Sequence, residues 1–239
     1  MKRYLSVFEM ITRSSIYKVL LVIVATIVAE IVFFFNVFEA QEGVSIEFYI
    51  EESYYSIIFL VAYILVTIML VLPGMNIGSV QSYTLQRLSI KESRIFWVQA
   101  LYNLCAYVLL WGAQLGMILG SFAYYQSNLP KGAIVSNQTL FLAFYRSDFM
   151  HSILPLEDGP GWWVLVLIAT TTALAAASFT KLQRVGKFGF ELLIMIVAVC
   201  IYFPRAYGYD LTFILIVAGS SLSIMGIRWW LSRMGGDKL

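Results

Sequence analysis

The chain has 239 residues, 60% of them hydrophobic and 13% charged, with a formal net charge of +2. A soluble domain averages about 45–50% apolar and 25% charged residues, so this apolar surplus exceeds what one small core can bury. Composition therefore excludes an ordinary soluble domain and makes lipid the solvent for much of the surface, with no nucleic-acid partner expected.

The first basic stretch, 1–18, places Tyr4, Leu5, Phe8, Ile11 and Ile16 at helical spacing among Lys2, Arg3, Arg13 and Lys18. That pattern predicts an amphipathic helix lying in the membrane interface ahead of the first span; an ordinary basic tail is the alternative. A spanning helix needs about 20 mostly apolar residues. Six runs qualify, 19–38, 54–72, 95–121, 162–180, 188–203 and 211–227, the last two being short. The first run is too long for a signal-peptide core, and Phe38-Glu39-Ala40 makes a poor cleavage site, so it reads as a retained anchor. Between the third and fourth runs lies 122–161, too long for a simple turn. Within it, 139–154 is rich in apolar residues but is interrupted by Arg146, Asp148 and His151. It predicts an interfacial or re-entrant helix capping one mouth of the protein.

Charge orients these runs. Lys2, Arg3, Arg13 and Lys18, then Arg87, Lys91 and Arg94, then Lys181, Arg184 and Lys187, then Arg228, Arg233 and Lys238 all fall on one side. The other side holds Lys131, Arg146 and Arg205. The side rich in lysine and arginine is the cytoplasmic one. Trp162 and Trp163 on one side and Trp229 and Trp230 on the other fit interface belts. The predicted fold class is an all-α membrane protein of six transmembrane helices with an N-terminal interfacial helix. Both termini are cytoplasmic, and one domain covers 1–239.

Motifs for chemistry are few. No Gly-x-x-x-x-Gly-Lys-Ser/Thr sequence occurs, so ATP is not bound here by that device, and no enzyme activity or cofactor is expected of this chain. The single histidine, His151, rules out a His-based metal cluster within one copy. Cys105 and Cys200 lie inside apolar runs and read as small buried hydrophobes. Polar residues inside spans carry more meaning, because lipid makes them expensive. Glu30 is near the middle of the first run. Gln99, Asn103, Tyr107 and Gln114 recur at steps of 4, 4 and 7 in the third, which puts them on one helical face. Glu30, Gln99, Asn103 and Gln114 are candidates to line a substrate route; interhelical hydrogen bonding is the competing reading for them. Glu191 is expected to snorkel or to pair with Lys187. Small-residue patches at 170–178 and 218–223 suit close helix packing, within the subunit or across a dimer.

The segment between the second and third runs, 73–94, is a further candidate. Tyr83, Leu85 and Leu88 give a short helix an apolar side, and Arg87, Lys91 and Arg94 a charged one. Together with the six-run topology, the basic amphipathic start and the third run opening Phe96-Trp97-Val98-Gln99, this Tyr-Thr-Leu-x-Arg-Leu core resembles a known family. It is similar to the type-2 permease subunits of ATP-binding-cassette transporters, mainly exporters. The resemblance covers most of the chain by topology and about 30 residues by motif. It implies that Tyr83, Leu85, Arg87, Leu88, Lys91 and Glu92 form a coupling helix docking on a separate ATPase subunit, which binds the ATP and Mg. It also implies a second permease subunit, identical or homologous, a bacterial cell-membrane location, and export of a hydrophobic or amphipathic compound. One departure is that the largest non-spanning segment here follows the third run, whereas many relatives carry theirs between the fifth and sixth. A non-transporting scaffold or sensor subunit and an ion-coupled secondary transporter are the alternatives.

Overall fold

The computed structural model describes residues 2–39, 44–75, 92–128, 137–156, 159–184, 189–203 and 210–234. These are helical almost throughout, and no strand occurs among them. In chain order the helices are α1 (Lys2–Val37), α2 (Ile46–Glu52), α3 (Tyr55–Met75), α4 (Glu92–Asn128), α5 (Asn137–Arg146), α6 (Asp148–Ile153), α7 (Gly159–Arg184), α8 (Glu191–Tyr202) and α9 (Asp210–Met234).

Four of them contain stretches long and apolar enough to cross a membrane, Ser15–Val37, Tyr55–Leu72, Ser93–Asn128 and Gly159–Arg184. Their outward faces are apolar too. Leu21, Val24, Val28 and Val32 of α1, Ile57, Val61 and Ile68 of α3, and Leu101, Val108 and Leu109 of α4 all stand exposed. A helix apolar on its outward as well as its inward face belongs in lipid, so this is a multi-pass membrane protein. The last two expected spans differ from the other four. α8 has 12 residues, about 18 Å of helix against a hydrocarbon core of about 30 Å. α9 has 25 residues, with Ile214–Arg228 as its apolar stretch.

The N-terminal segment also departs from expectation. Residues 4–16 do not form a separate interfacial helix, because α1 runs unbroken through Lys18 into the apolar stretch. No glycine or proline lies between Lys2 and Val37 to turn the chain. Phe8 packs edge-on against Tyr102 of α4 at 6.0 Å, and Ser15 donates to the Tyr102 hydroxyl at 2.9 Å. The start of α1 is thereby held upright against α4.

α4 is the central strut, packed against α1, α3 and α7; α7 in turn packs on α3, α8 and α9. One end of the bundle is basic, with Arg94 at the start of α4, Lys181 and Arg184 at the end of α7, and Arg228 on α9. The opposite end is capped by α2, α5 and α6. Segment 139–154 is two helices, broken where Ser147 takes an extended conformation with φ −86° and ψ 123°. Phe149, Met150 and Ile153 of α6 are buried, and Trp111 of α4 donates its indole N–H to the Ile153 carbonyl at 2.8 Å. Between α2 and α3 the chain reverses at Tyr54, whose φ of 58° is left-handed. Tyr55 is thereby delivered to the bundle interior, where it is fully buried.

Candidate functional site

The polar face of α4 turns into the bundle. Gln99, Asn103, Tyr107, Gln114 and Ser121 are all buried, and each meets a different neighbour. At the basic end Arg184 donates to the Gln99 Oε1 at 3.3 Å. One turn further, the Asn103 Nδ2 donates to the Ala173 carbonyl of α7 at 3.2 Å. At mid-bundle the Tyr107 hydroxyl and Thr67 Oγ1 of α3 are 2.8 Å apart, and the Tyr107 ring stacks on Tyr63 at 4.7 Å. Gln99 and Asn103 therefore bond helix to helix. That is the arrangement expected of polar residues inside a packed membrane bundle.

The capped end is different. Glu30 is 0% exposed and Gln114 is 2% exposed. Gln114 is the side chain that faces the Glu30 carboxyl, and Tyr55 lies within electrostatic reach of it. The Tyr55 hydroxyl is itself engaged with Ser121 Oγ at 2.8 Å. Neither carboxyl oxygen of Glu30, nor the Oε1 or Nε2 of Gln114, reaches hydrogen-bonding geometry with any described group. Four polar atoms on two facing side chains are thus orphaned where each unmet hydrogen bond costs about 1–3 kcal/mol.

Helix placement explains the enclosure. The sequence sets Glu30 near the middle of the first span; packing sets it toward the capped end, beside Tyr55, the first residue of α3. One turn above it, Phe34 is 5.5 Å from Phe38 and 6.4 Å from Tyr55, measured between ring centroids. Phe38 in turn meets Tyr49 at 5.1 Å and Tyr124 at 5.3 Å. This aromatic layer lies between Glu30 and the capping helix α2.

Comparison with protein-family models, with curated proteins and with solved structures returns no match.

The coupling candidates Tyr83, Leu85, Arg87, Leu88 and Lys91 lie outside the described residues. Glu92 is the first residue of α4. Glu191 does not snorkel; it is 1% exposed and pairs with Arg228 of α9 at 2.5 Å, while Lys187 lies outside the described residues. Cys105 is exposed on the outward face of α4 and Cys200 is partly exposed, so neither is the fully buried hydrophobe expected. Their apolar surroundings are those of an outward, lipid-facing surface rather than a protein core. Among the described residues no group of three metal-ligating side chains occurs. The small-residue patch of α7 is spent inside the subunit, with Thr171, Thr172, Ala173 and Ala175 to Ala177 all buried.

Sequence reasoning missed two features. Tyr55, Tyr63, Thr67 and Ser121 complete the buried polar system, but no spacing marks them out among the many tyrosines, threonines and serines. Gly112, Gly116 and Gly120, four apart on α4, leave a bare outward strip where an added Cβ would meet nothing within 4 Å. That signal was present in the sequence as a repeated small-xxx-small spacing.

Proposed function

We propose that the chain is the transmembrane permease subunit of an exporter driven by separate ATP-binding-cassette ATPases, with six spans and the basic end in the cytoplasm. The observation that carries this reading is α4. It is one helix of 37 residues, about 55 Å long. It starts at the end of the basic 76–91 segment and reaches the Glu30–Gln114 cluster at the other end of the bundle. A push delivered by an ATPase near Glu92 travels along such a strut without a hinge to absorb it. Contacts with α1, α3 and α7 spread that push to the rest of the bundle. The segment 73–94, through Tyr83, Leu85, Arg87, Leu88, Lys91 and Glu92, is the docking element, and ATP and Mg belong to the partner. The cargo is a hydrophobic or amphipathic compound, a class that rests on the family resemblance.

The test is gentle extraction from native membranes and identification of stoichiometric partners. An ATPase subunit bearing a phosphate-binding loop, at about one per chain, is expected. Arg87→Glu reverses a charge at the docking segment and is expected to lower ATPase recovery at least tenfold, about 1.4 kcal/mol, without changing expression. Unchanged recovery would remove the segment from the coupling role. The bare strip Gly112–Gly116–Gly120 supports α4 as the seam with a second permease subunit, because small residues let helix backbones approach closely. Gly116→Leu fills that strip without touching the subunit's own packing. Its expected result is a shift from dimer to monomer in detergent, at least tenfold in the equilibrium, with the helical content of the monomer retained.

A further inference from the structure

We infer that Glu30 and Gln114 form a proton-binding site, in which a neutral Glu30 carboxyl and the Gln114 carboxamide close a two-bond ring between α1 and α4. The geometry carries the assignment. Both side chains are at least 98% buried, Gln114 sits beside the Glu30 carboxyl, and none of their four terminal atoms completes a hydrogen bond of good distance and angle. A carboxylate is an acceptor only, so an ionised Glu30 leaves the Gln114 Oε1 and at least one of its own oxygens unmet. A carboxylic acid donates its O–H to Gln114 Oε1 and accepts from Gln114 Nε2–H. One added proton therefore turns four orphaned atoms into two hydrogen bonds, after a small closing movement of two flexible side chains.

Nothing nearby competes for the charge. Among the described residues packed on α1, the titratable side chain facing Glu30 is Tyr55 of α3, held by Ser121. α4 presents the neutral Gln114. On α2, Tyr49 bonds the Glu39 carbonyl, and Glu47 faces Tyr125. No lysine or arginine among the described residues pairs with Glu30. Enclosed without a countercharge, a carboxyl takes up a proton rather than stay ionised. A proton is also the one cation that needs no cavity, which suits a site roofed by Phe34 and Phe38.

The site has a consequence for motion. α1 and α4 are parallel neighbours joined at the basic end by Ser15 and Tyr102, and the Glu30–Gln114 ring joins them again near the capped end. Glu30 gives up its proton only when water reaches it, so proton release accompanies parting of α1 from α4 or of the aromatic layer above. The inference stands whether or not an ATPase drives the protein.

Infrared difference spectroscopy on the full chain in lipid nanodiscs at pH 7 tests it. The wild type is expected to show a protonated-carboxyl C=O band that Glu30→Gln removes. Glu30→Gln keeps the shape of the side chain, satisfies Gln114 without a proton, and is expected to unfold no earlier than the wild type. Gln114→Leu leaves the carboxyl but deletes its partner, and is expected to shift the band toward that of a free acid. If the wild-type spectrum shows no band that is lost in Glu30→Gln, Glu30 is ionised and the inference fails. Should Glu30→Gln not fold, Gln114→Leu decides alone, because a band that does not move excludes the ring. ATPase co-purification is unaffected by either result, so failure of this inference is distinguishable from failure of the permease reading.

Discussion

Arg228→Met is expected to destabilise the bundle by about 3 kcal/mol, the low end of the range for breaking a buried ion pair. The cause is what the substitution leaves behind. Glu191 is 1% exposed and pairs with Arg228 at 2.5 Å, while its second oxygen has no partner. Removing the guanidinium strands an ionised carboxylate between α8 and α9. Arg228 is 40% exposed, so water offsets part of the loss and keeps the figure at the low end. The bare backbone of Gly189 makes room for the Glu191 carboxylate: a Cβ there would come 2.7 Å from its Oε2. Denaturation in mixed micelles measures the loss. The double variant Glu191→Leu/Arg228→Met is expected to recover most of it, since replacing both partners by apolar groups removes the stranded charge. Equal losses in the single and double variants would show that Arg228 acts through packing alone.

How legible these features were depends on the distance over which each is determined. The buried face of α4 could be read from spacing, because a helix converts steps of 4 and 7 into one side without help from the rest of the chain. Glu30 stood out for the same local reason, a carboxyl inside an apolar run. Its depth did not, since that depends on where α3 begins, and the left-handed turn at Tyr54 has no glycine to announce it. Glu191 was expected to snorkel or to pair with Lys187, a neighbour in the chain that lies outside the described residues. Its partner, Arg228, is 37 positions away on another helix, and nothing in a single sequence ties the two. The basic start of the chain carried an interfacial pattern, yet α1 passes straight through it; amphipathicity describes a face, and only a breaker or a packing partner decides whether the axis turns. Here no breaker occurs, and Tyr102 supplies the packing partner. The cap was half legible. Composition predicted a non-spanning apolar segment, while its division at Ser147 and its anchor on Trp111 depend on contacts made across the fold.

The second large effect is expected at Tyr107, and its two substitutions separate packing from hydrogen bonding. The Tyr107 ring stacks on Tyr63 with planes 16° apart, and its hydroxyl meets Thr67, so one side chain joins α4 to α3 at mid-bundle. Tyr107→Ala empties the space of a fully buried ring and is expected to cost about 3–5 kcal/mol, as large-to-small aromatic truncations do. Lipid cannot refill the gap, because α1, α3 and α7 close around α4. Tyr107→Phe keeps the ring and deletes one hydrogen bond. Thr67 keeps its second bond, to the Tyr63 carbonyl at 2.8 Å, so no group is stranded. The expected cost is about 0.6 kcal/mol, the average for an interhelical hydrogen bond in a membrane protein. Denaturation in mixed micelles distinguishes the two. A Phe variant as damaging as the Ala variant would mean that the hydroxyl network, from Tyr107 through Thr67, sets the α3–α4 spacing, and the strut would then owe its alignment to polar contacts. Near-equality of Tyr107→Phe with the wild type instead assigns the α3–α4 spacing to the stacked rings.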